Sequence, residues 1–174
     1  MQIRTVRQED YTVISDLILT AFSQSPNGYG NEAELVEKIR LDPSYQKSLE
    51  VVADQAGKII GHGLLSEIKI QTENQSETGL CLAPLSVLPT YQGQGIGHAI
   101  LIELERRAKQ ANYRFISVLG WPDYYQKAGY KKASLFGIKP PFPAPDDTYR
   151  IKALVPDGLQ GVQGVVHYLP AFGI

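Results

Sequence analysis

The run Leu85-Ser-Val-Leu-Pro-Thr-Tyr-Gln-Gly-Gln-Gly-Ile-Gly97 constrains this chain more than any other stretch. An apolar strand feeds a glycine-rich turn, and a helix follows at once, with Ile96, Ile100, Leu104 and Ala108 recurring as one stripe. The first N–H groups of a helix lack internal partners, and the aligned peptide dipoles make that end positive. Together they form an anion site. Gly93, Gly95 and Gly97 let the backbone turn tightly and approach a ligand that a Cβ would hold away. The pattern therefore predicts a phosphorylated ligand held by main-chain donors.

Two common phosphate motifs do not fit. The dinucleotide fingerprint requires a further glycine where the chain has His98, and it opens its domain, whereas this loop lies halfway along. The P-loop requires Gly-Lys-Ser/Thr, and no lysine is present here. What fits is Gln92-x-x-Gly95-x-Gly97 after Leu-Ser-Val-Leu-Pro. This resembles the acetyl-CoA signature of the Gcn5-related N-acetyltransferases, Q/R-x-x-G-x-G/A.

The whole chain is compatible with that resemblance. Its 174 residues suit a single domain over 1–174. A formal net charge of −1 gives no basic excess to neutralise phosphates, so nucleic acid is not an expected partner. The apolar runs are too short for a membrane span, and the Met-Gln-Ile-Arg start lacks a signal-peptide core, so a cytoplasmic location is expected. Cys81 is the one cysteine, set in an apolar strand, and reads as a small buried hydrophobe. His62, His98 and His167 lack metal-ligand spacing, so no metal site is expected.

Along the chain, residues 2–6 read as a strand and 11–22 as a helix. A polar loop covers 23–29, and Asn31 is placed to cap a helix reaching about residue 40. In that helix Leu35, Val36 and Ile39 should face inward, with Glu34 and Lys38 paired outside. Strands over 49–53 and 58–70 flank a tight turn, the central strand runs 79–88, and Glu103–Arg107 and Glu105–Lys109 pairs cover the solvent side of the next helix. A buried strand (115–119), a short helix (123–128) ended by Gly129, and a final antiparallel pair (151–154 with 162–168) complete the order. This predicts an α/β (α+β) fold with a mixed, mostly antiparallel sheet flanked by helices. The resemblance implies the acyl-CoA N-acyltransferase fold, whose central sheet is splayed.

Residue by residue, the resemblance implies the following. Pro84, inside the central strand, marks either a bulge or an early strand end. Backbone groups of Leu85, Ser86 and Val87 would pair with the pantetheine arm and hold the thioester carbonyl. Gln92, Gly93, Gln94, Gly95, Ile96, Gly97 and His98 would wrap the pyrophosphate, with Gln92 bracing the loop and His98 either beside the phosphates or merely solvated. The segment Asp123-Tyr-Tyr-Gln-Lys-Ala-Gly-Tyr130 resembles the family's short helix carrying a tyrosine that reaches the sulfur of coenzyme A. Tyr125 occupies that position, and a protonated phenol suits an acid role toward a departing thiolate. Tyr124 and Tyr130 read as packing residues. Glu67, Glu32 and His62 are alternatives for a general base, as is a water chain. The implied activity is acetyl transfer from acetyl-CoA to the primary amine of a small molecule in a ternary complex. A non-catalytic acyl-CoA-binding module and a peptide or protein N-acetyltransferase are the alternatives. The acceptor would lie near loop 23–29 and the C-terminal strands, where Tyr29, Phe142, Tyr149 and Tyr168 form either an aromatic rim or core. The prolines at 140–145 shape that pocket or support a homodimer contact.

Overall fold

Hydrophobic spacing anticipates every long element, and two strands too short to leave a pattern join them. The computed structural model describes residues 1–174 apart from 24 and 26–29. The order is β1 (Gln2–Thr5), α1 (Tyr11–Ser23), α2 (Glu32–Arg40), β2 (Glu50–Gln55), β3 (Lys58–Gln71), β4 (Ser76–Val87) and α3 (Ile96–Gln110). Then come β5 (Phe115–Leu119), α4 (Pro122–Lys127), β6 (Lys131–Lys132), β7 (Ile138–Lys139), β8 (Tyr149–Ala153) and β9 (Gly164–Tyr168). The class is mixed α/β with a mostly antiparallel, open sheet; the parallel ladders among the described residues are β4–β5 and β7–β9. Two compact units make up the chain: Met1–Leu65 with Ala83–Arg107, and Ser66–Leu82 with Ala108–Ile174.

In the first unit β1 pairs with β2, and β2 with β3, both antiparallel. The β2–β3 turn places Ala56 and Gly57 at φ +53° and +87°. Two successive positive φ values are what a two-residue hairpin turn needs, and Asp54 Oδ1 secures it by accepting from Gly57 N–H at 2.8 Å. α1 buries Ile14, Leu17, Ile18 and Ala21, and α2 buries Val36 and Ile39 while Leu35 is only half-buried. Glu34 and Lys38 pair at 2.8 Å on the exposed side. Asn31 stands at the N-cap position of α2, but with φ −120° and ψ 13° its side chain makes no cap bond.

α3 seats on β3 because two residues there lack a Cβ. A Cβ on Gly61 would come within 2.8 Å of Ile100 Cδ1, and one on Gly63 within 2.6 Å of Ile100 Cγ2 and 2.9 Å of Leu104 Cδ1. The stripe Ile96, Ile100, Leu101 and Leu104 is buried, each side chain contributing about 1.5–3 kcal/mol by leaving water. Glu103 holds Arg107 at 2.8 Å, and Arg107 folds inward to Thr5 Oγ1 (2.6 Å) and Ser48 O (2.9 Å) instead of lying on the solvent side.

The second unit corrects one expected pairing. β8 and β9 are not partners. β8 lies between β5 and β6, from Phe115 opposite Ala153 to Leu119 opposite Tyr149 and with Lys131 opposite Ile151, so both its edges are taken. β9 runs against β3 from Ile68–Tyr168 to Gln71–Val165, and β7 takes its other edge. Gly164, at φ +121°, admits this approach, since a Cβ there would overlap the Gln71 carbonyl. The central strand also begins earlier than expected, at Ser76. Its ladder with β5 comprises Leu80 opposite Ile116 and Cys81 opposite Ser117. The core here gathers Ile68, Ile70, Cys81, Phe115, Ile138, Tyr149, Ile151 and Val166.

Replacing Gly63 by valine should push α3 off β3, because the branched Ile100 Cγ2 cannot swing away. We expect a loss of about 1–3 kcal/mol in urea unfolding, as for other overpacked cores. An unchanged midpoint would contradict the close seating.

Candidate active site

The leading turn of α3 is built as the sequence suggests, with one difference. Gly93 and Gly95 take φ +76° and +82°, and a Cβ at either would meet nothing within 4 Å. The loop thus presents bare backbone to open space on that side. The first N–H satisfied inside the helix is that of Ala99, which donates to Gly95 O at 3.0 Å. The N–H groups of Ile96, Gly97 and His98 precede it and have no intrahelical acceptor. Gly97 differs from the other two: it lies within α3 and does not have a positive φ.

Side chains brace the loop from behind. Gln92 Nε2 donates to Val87 O at 3.0 Å, and Gln94 Nε2 to Thr90 O at 3.3 Å. Leu88 N–H donates to Ile60 O at 2.9 Å, tying the end of β4 to β3. Ile96 is buried and anchors the helix start, while His98 is exposed. Leu85 and Val87 are half-buried and Ser86 is buried on β4, and Pro84 follows a cis Ala83–Pro84 peptide within that strand.

The second unit holds Tyr125. It is 8% exposed, its ring packed edge-on to Tyr124 (centroids 5.0 Å apart) and Tyr130 (5.7 Å). Gly120 makes room for it, since a Cβ there would come within 2.5 Å of Tyr125 Cε2. Burial, and then the neighbouring Tyr124, raise the Tyr125 phenol above its ordinary range, so it keeps its proton at neutral pH. Cys81 is likewise buried, its thiol pushed up to about 12 by desolvation, which leaves almost no thiolate.

The candidate bases fare differently. Glu67 lies in the interior of β3, not at a strand end, and accepts from Tyr113 Oη at 2.6 Å. Glu32 is buried in the first turn of α2. His62 is fully buried, its Nε2 2.8 Å from Glu50 Oε1. Glu50 also accepts from Arg40 (2.6 and 3.1 Å) and Tyr45 Oη (2.6 Å). Burial by itself would raise the Glu50 carboxyl, but the bonds from His62 and Arg40 outweigh it and bring it to about 2. No sequence signal marks Glu50, since an acidic residue at a strand start reads as solvated. Gly61-x-Gly63 did carry one, because glycine inside a strand indicates a close backbone approach.

The C-terminal aromatics converge within the second unit. Phe142 stacks on Tyr168 (centroids 6.0 Å apart), Tyr149 Oη lies 2.8 Å from Tyr168 Oη, and Phe172 joins them. Tyr29 and its neighbours 26–28 lie outside the described residues. Among the described residues no group of three or more His, Cys, Asp or Glu side chains could hold a metal, and no helix is long and apolar enough to cross a membrane.

Residues 46–132 match the family model of the acetyltransferase (GNAT) domain, half of the chain. The chain belongs to the GNAT acetyltransferase family. It is 30% identical to the uncharacterized N-acetyltransferase YhbS of Escherichia coli K12 over 137 residues, 79% of this chain and 80% of that protein. The GNAT-family fold extends over its length. The crystal structure of E. coli YhbS in complex with CoA superposes with a TM-score of 0.87 at 26% identity, covering 99% of this chain and 92% of that one. A Brucella melitensis GNAT-family acetyltransferase in complex with acetyl-CoA gives 0.77 at 28% identity, covering 98% and 97%.

The carboxylate ring in the first unit makes stability pH-dependent. Glu50, lowered from 4.5 to about 2, contributes stability that is complete above about pH 4.5 and lost as pH falls through about 2. Urea midpoints should fall across that window, and less steeply in Glu50→Gln; equal slopes in the two proteins would refute the assignment.

Proposed function

We propose that the protein is an acetyl-CoA-dependent N-acetyltransferase, a single domain over 1–174, that acetylates the primary amine of a small molecule by direct attack in a ternary complex. The observation that carries this reading is the α3 N-terminus, with open, positive-φ Gly93 and Gly95 ahead of three helical N–H groups without intrahelical acceptors. That cradle fits a diphosphate: it offers converging donors, a positive dipole end and no Cβ in the way. The family membership and the coenzyme A in similar structures support the same ligand.

On this reading Gln92, Gly93, Gln94, Gly95, Ile96, Gly97 and His98 bind the pyrophosphate, and the backbone of Leu85, Ser86 and Val87 orients the pantetheine arm. Acetyl-CoA supplies an acetyl group activated as a thioester. A backbone N–H of β4 stabilises negative charge on the carbonyl oxygen, a donor worth roughly 2.7–4 kcal/mol when well placed. Tyr125 stays protonated at neutral pH and offers its O–H to the departing sulfur, the burial that raises its pKa making it the weaker acid. An alkylammonium acceptor must lose a proton first, about three pKa units or roughly 4 kcal/mol at neutral pH.

Calorimetry with coenzyme A tests the cradle. Gly95→Ala should keep the fold, since nothing crowds a Cβ there, yet weaken coenzyme A by about tenfold or more through the lost loop geometry, a left-handed residue costing about 1–2 kcal/mol. Tyr125→Phe should retain that affinity while thiol release from acetyl-CoA, assayed with kanamycin, spermidine, phenethylamine and a lysine peptide, drops about 100-fold. Full turnover in Tyr125→Phe would remove the acid role, and no coenzyme A binding by the wild type would remove the reading altogether.

A further inference from the structure

Among the described residues three buried side-chain polar atoms have no hydrogen-bond partner: His62 Nδ1, Ser86 Oγ and Ser117 Oγ. Buried polar groups are ordinarily satisfied, so each exception asks for a reason. Two of them are cross-strand neighbours in the first unit. Leu88 N–H donates to Ile60 O at 2.9 Å, and a Cβ on Gly63 would stand 3.5 Å from Leu85 Cδ1. Counting the antiparallel β3–β4 pairing from Leu88 and Ile60 sets Gly63 opposite Leu85 and His62 opposite Ser86. Directly opposed residues have Cβ atoms about 4.5–5.5 Å apart. Gly61, Gly63 and Leu85 face α3, so strand alternation sends His62 and Ser86 to the other face. There His62 is 0% exposed and Ser86 4%.

Glu50 completes the set. Its carboxylate, ionised and locked by Arg40 and Tyr45, can only accept, so the 2.8 Å contact requires His62 Nε2 to carry the ring proton. In the neutral ring Nδ1 is then a bare acceptor, with a serine hydroxyl as its cross-strand neighbour. Packing alone does not explain this arrangement: alanine at 86 would fill the strand without burying an unpaired hydroxyl.

We propose that Ser86, His62 and Glu50 form a proton relay for the acyl transfer. As the new C–N bond forms, Ser86 Oγ accepts the proton lost by the attacking nitrogen and passes its own hydroxyl proton to His62 Nδ1. The C–S bond breaks, the sulfur leaves with that electron pair, and the imidazolium is held by Glu50, which stays ionised. The ring returns its proton through Ser86 to solvent after product release, and Ser86 ends unchanged. His62 and Glu50 act through Ser86. The relay rests on the acetyltransferase reading above. It suits the place, since Ser86 lies between Leu85 and Val87, whose backbone that reading assigns to the thioester arm.

Long-range proton–nitrogen NMR of the free protein should show His62 as the Nε2–H tautomer, with an Nδ1 resonance that moves in Ser86→Ala. With spermidine and phenethylamine as acceptors, Ser86→Ala should lower kcat about 100-fold with coenzyme A affinity unchanged and the unfolding midpoint the same or higher, and Ser86→Thr should restore most of the loss. The relay is overturned by an Nδ1–H tautomer, by full kcat in Ser86→Ala, or by an acetylated Ser86 in the mass spectrum, which would make the serine a nucleophile. A wild type that binds no coenzyme A removes the acetyltransferase reading instead; the ring tautomer, read without ligand, still judges the relay.

Discussion

The seating of α3 on β3 is the constraint on which the candidate site depends. Two glycines on one face of β3 bring the helix so close that Ile100 fills the space their side chains would take. Because the helix cannot slide or lift, its first turn is fixed relative to β3 and the end of β4. An anion site made of main-chain N–H groups needs such fixing. Its donors cannot reorient like side chains, so their convergence is set by where the helix begins and how it is held. Gln92, which ties the loop to Val87 O, fixes the loop from the other end.

The opposite face of the same strands is organised by a different force. Glu50 accepts from His62, Arg40 and Tyr45, and Arg40 also lies over the Tyr11 ring at 3.7 Å. A buried carboxylate is tolerated only when its charge is met and its lone pairs are occupied. The ring achieves both with residues from α2, the loop after it, β2 and β3. One strand therefore presents close apolar contact on its glycine face and a polar ring on the other, and the alternation of side chains keeps the two apart.

Much of this was legible beforehand. The glycine loop, the amphipathic stripe of α3 and the short helix around Tyr125 all announce themselves locally, because turns, helix faces and caps are set by neighbouring residues. The partners of β8 and β9 were not legible. Alternation identifies a strand but not its neighbour, and two-residue strands such as β6 and β7 leave no pattern, yet they occupy the edges that decide the pairing. Glu67 was legible as a carboxylate within the 58–70 strand, but not its bond from Tyr113, 46 residues away. His62, met as a lone histidine, acquires its significance only from Glu50, twelve residues away.

The sequence by itself determined where the backbone turns, which helix has an unsatisfied leading turn, and the family to which that pattern is related, since all three are carried by residues within a few positions of one another. The tertiary structure decided which polar atoms are buried together, which edges pair and how closely α3 approaches β3. Those outcomes depend on contacts between residues far apart in the chain: Gly61-x-Gly63 marks a close approach locally, but which helix makes it and how near it comes are not encoded there.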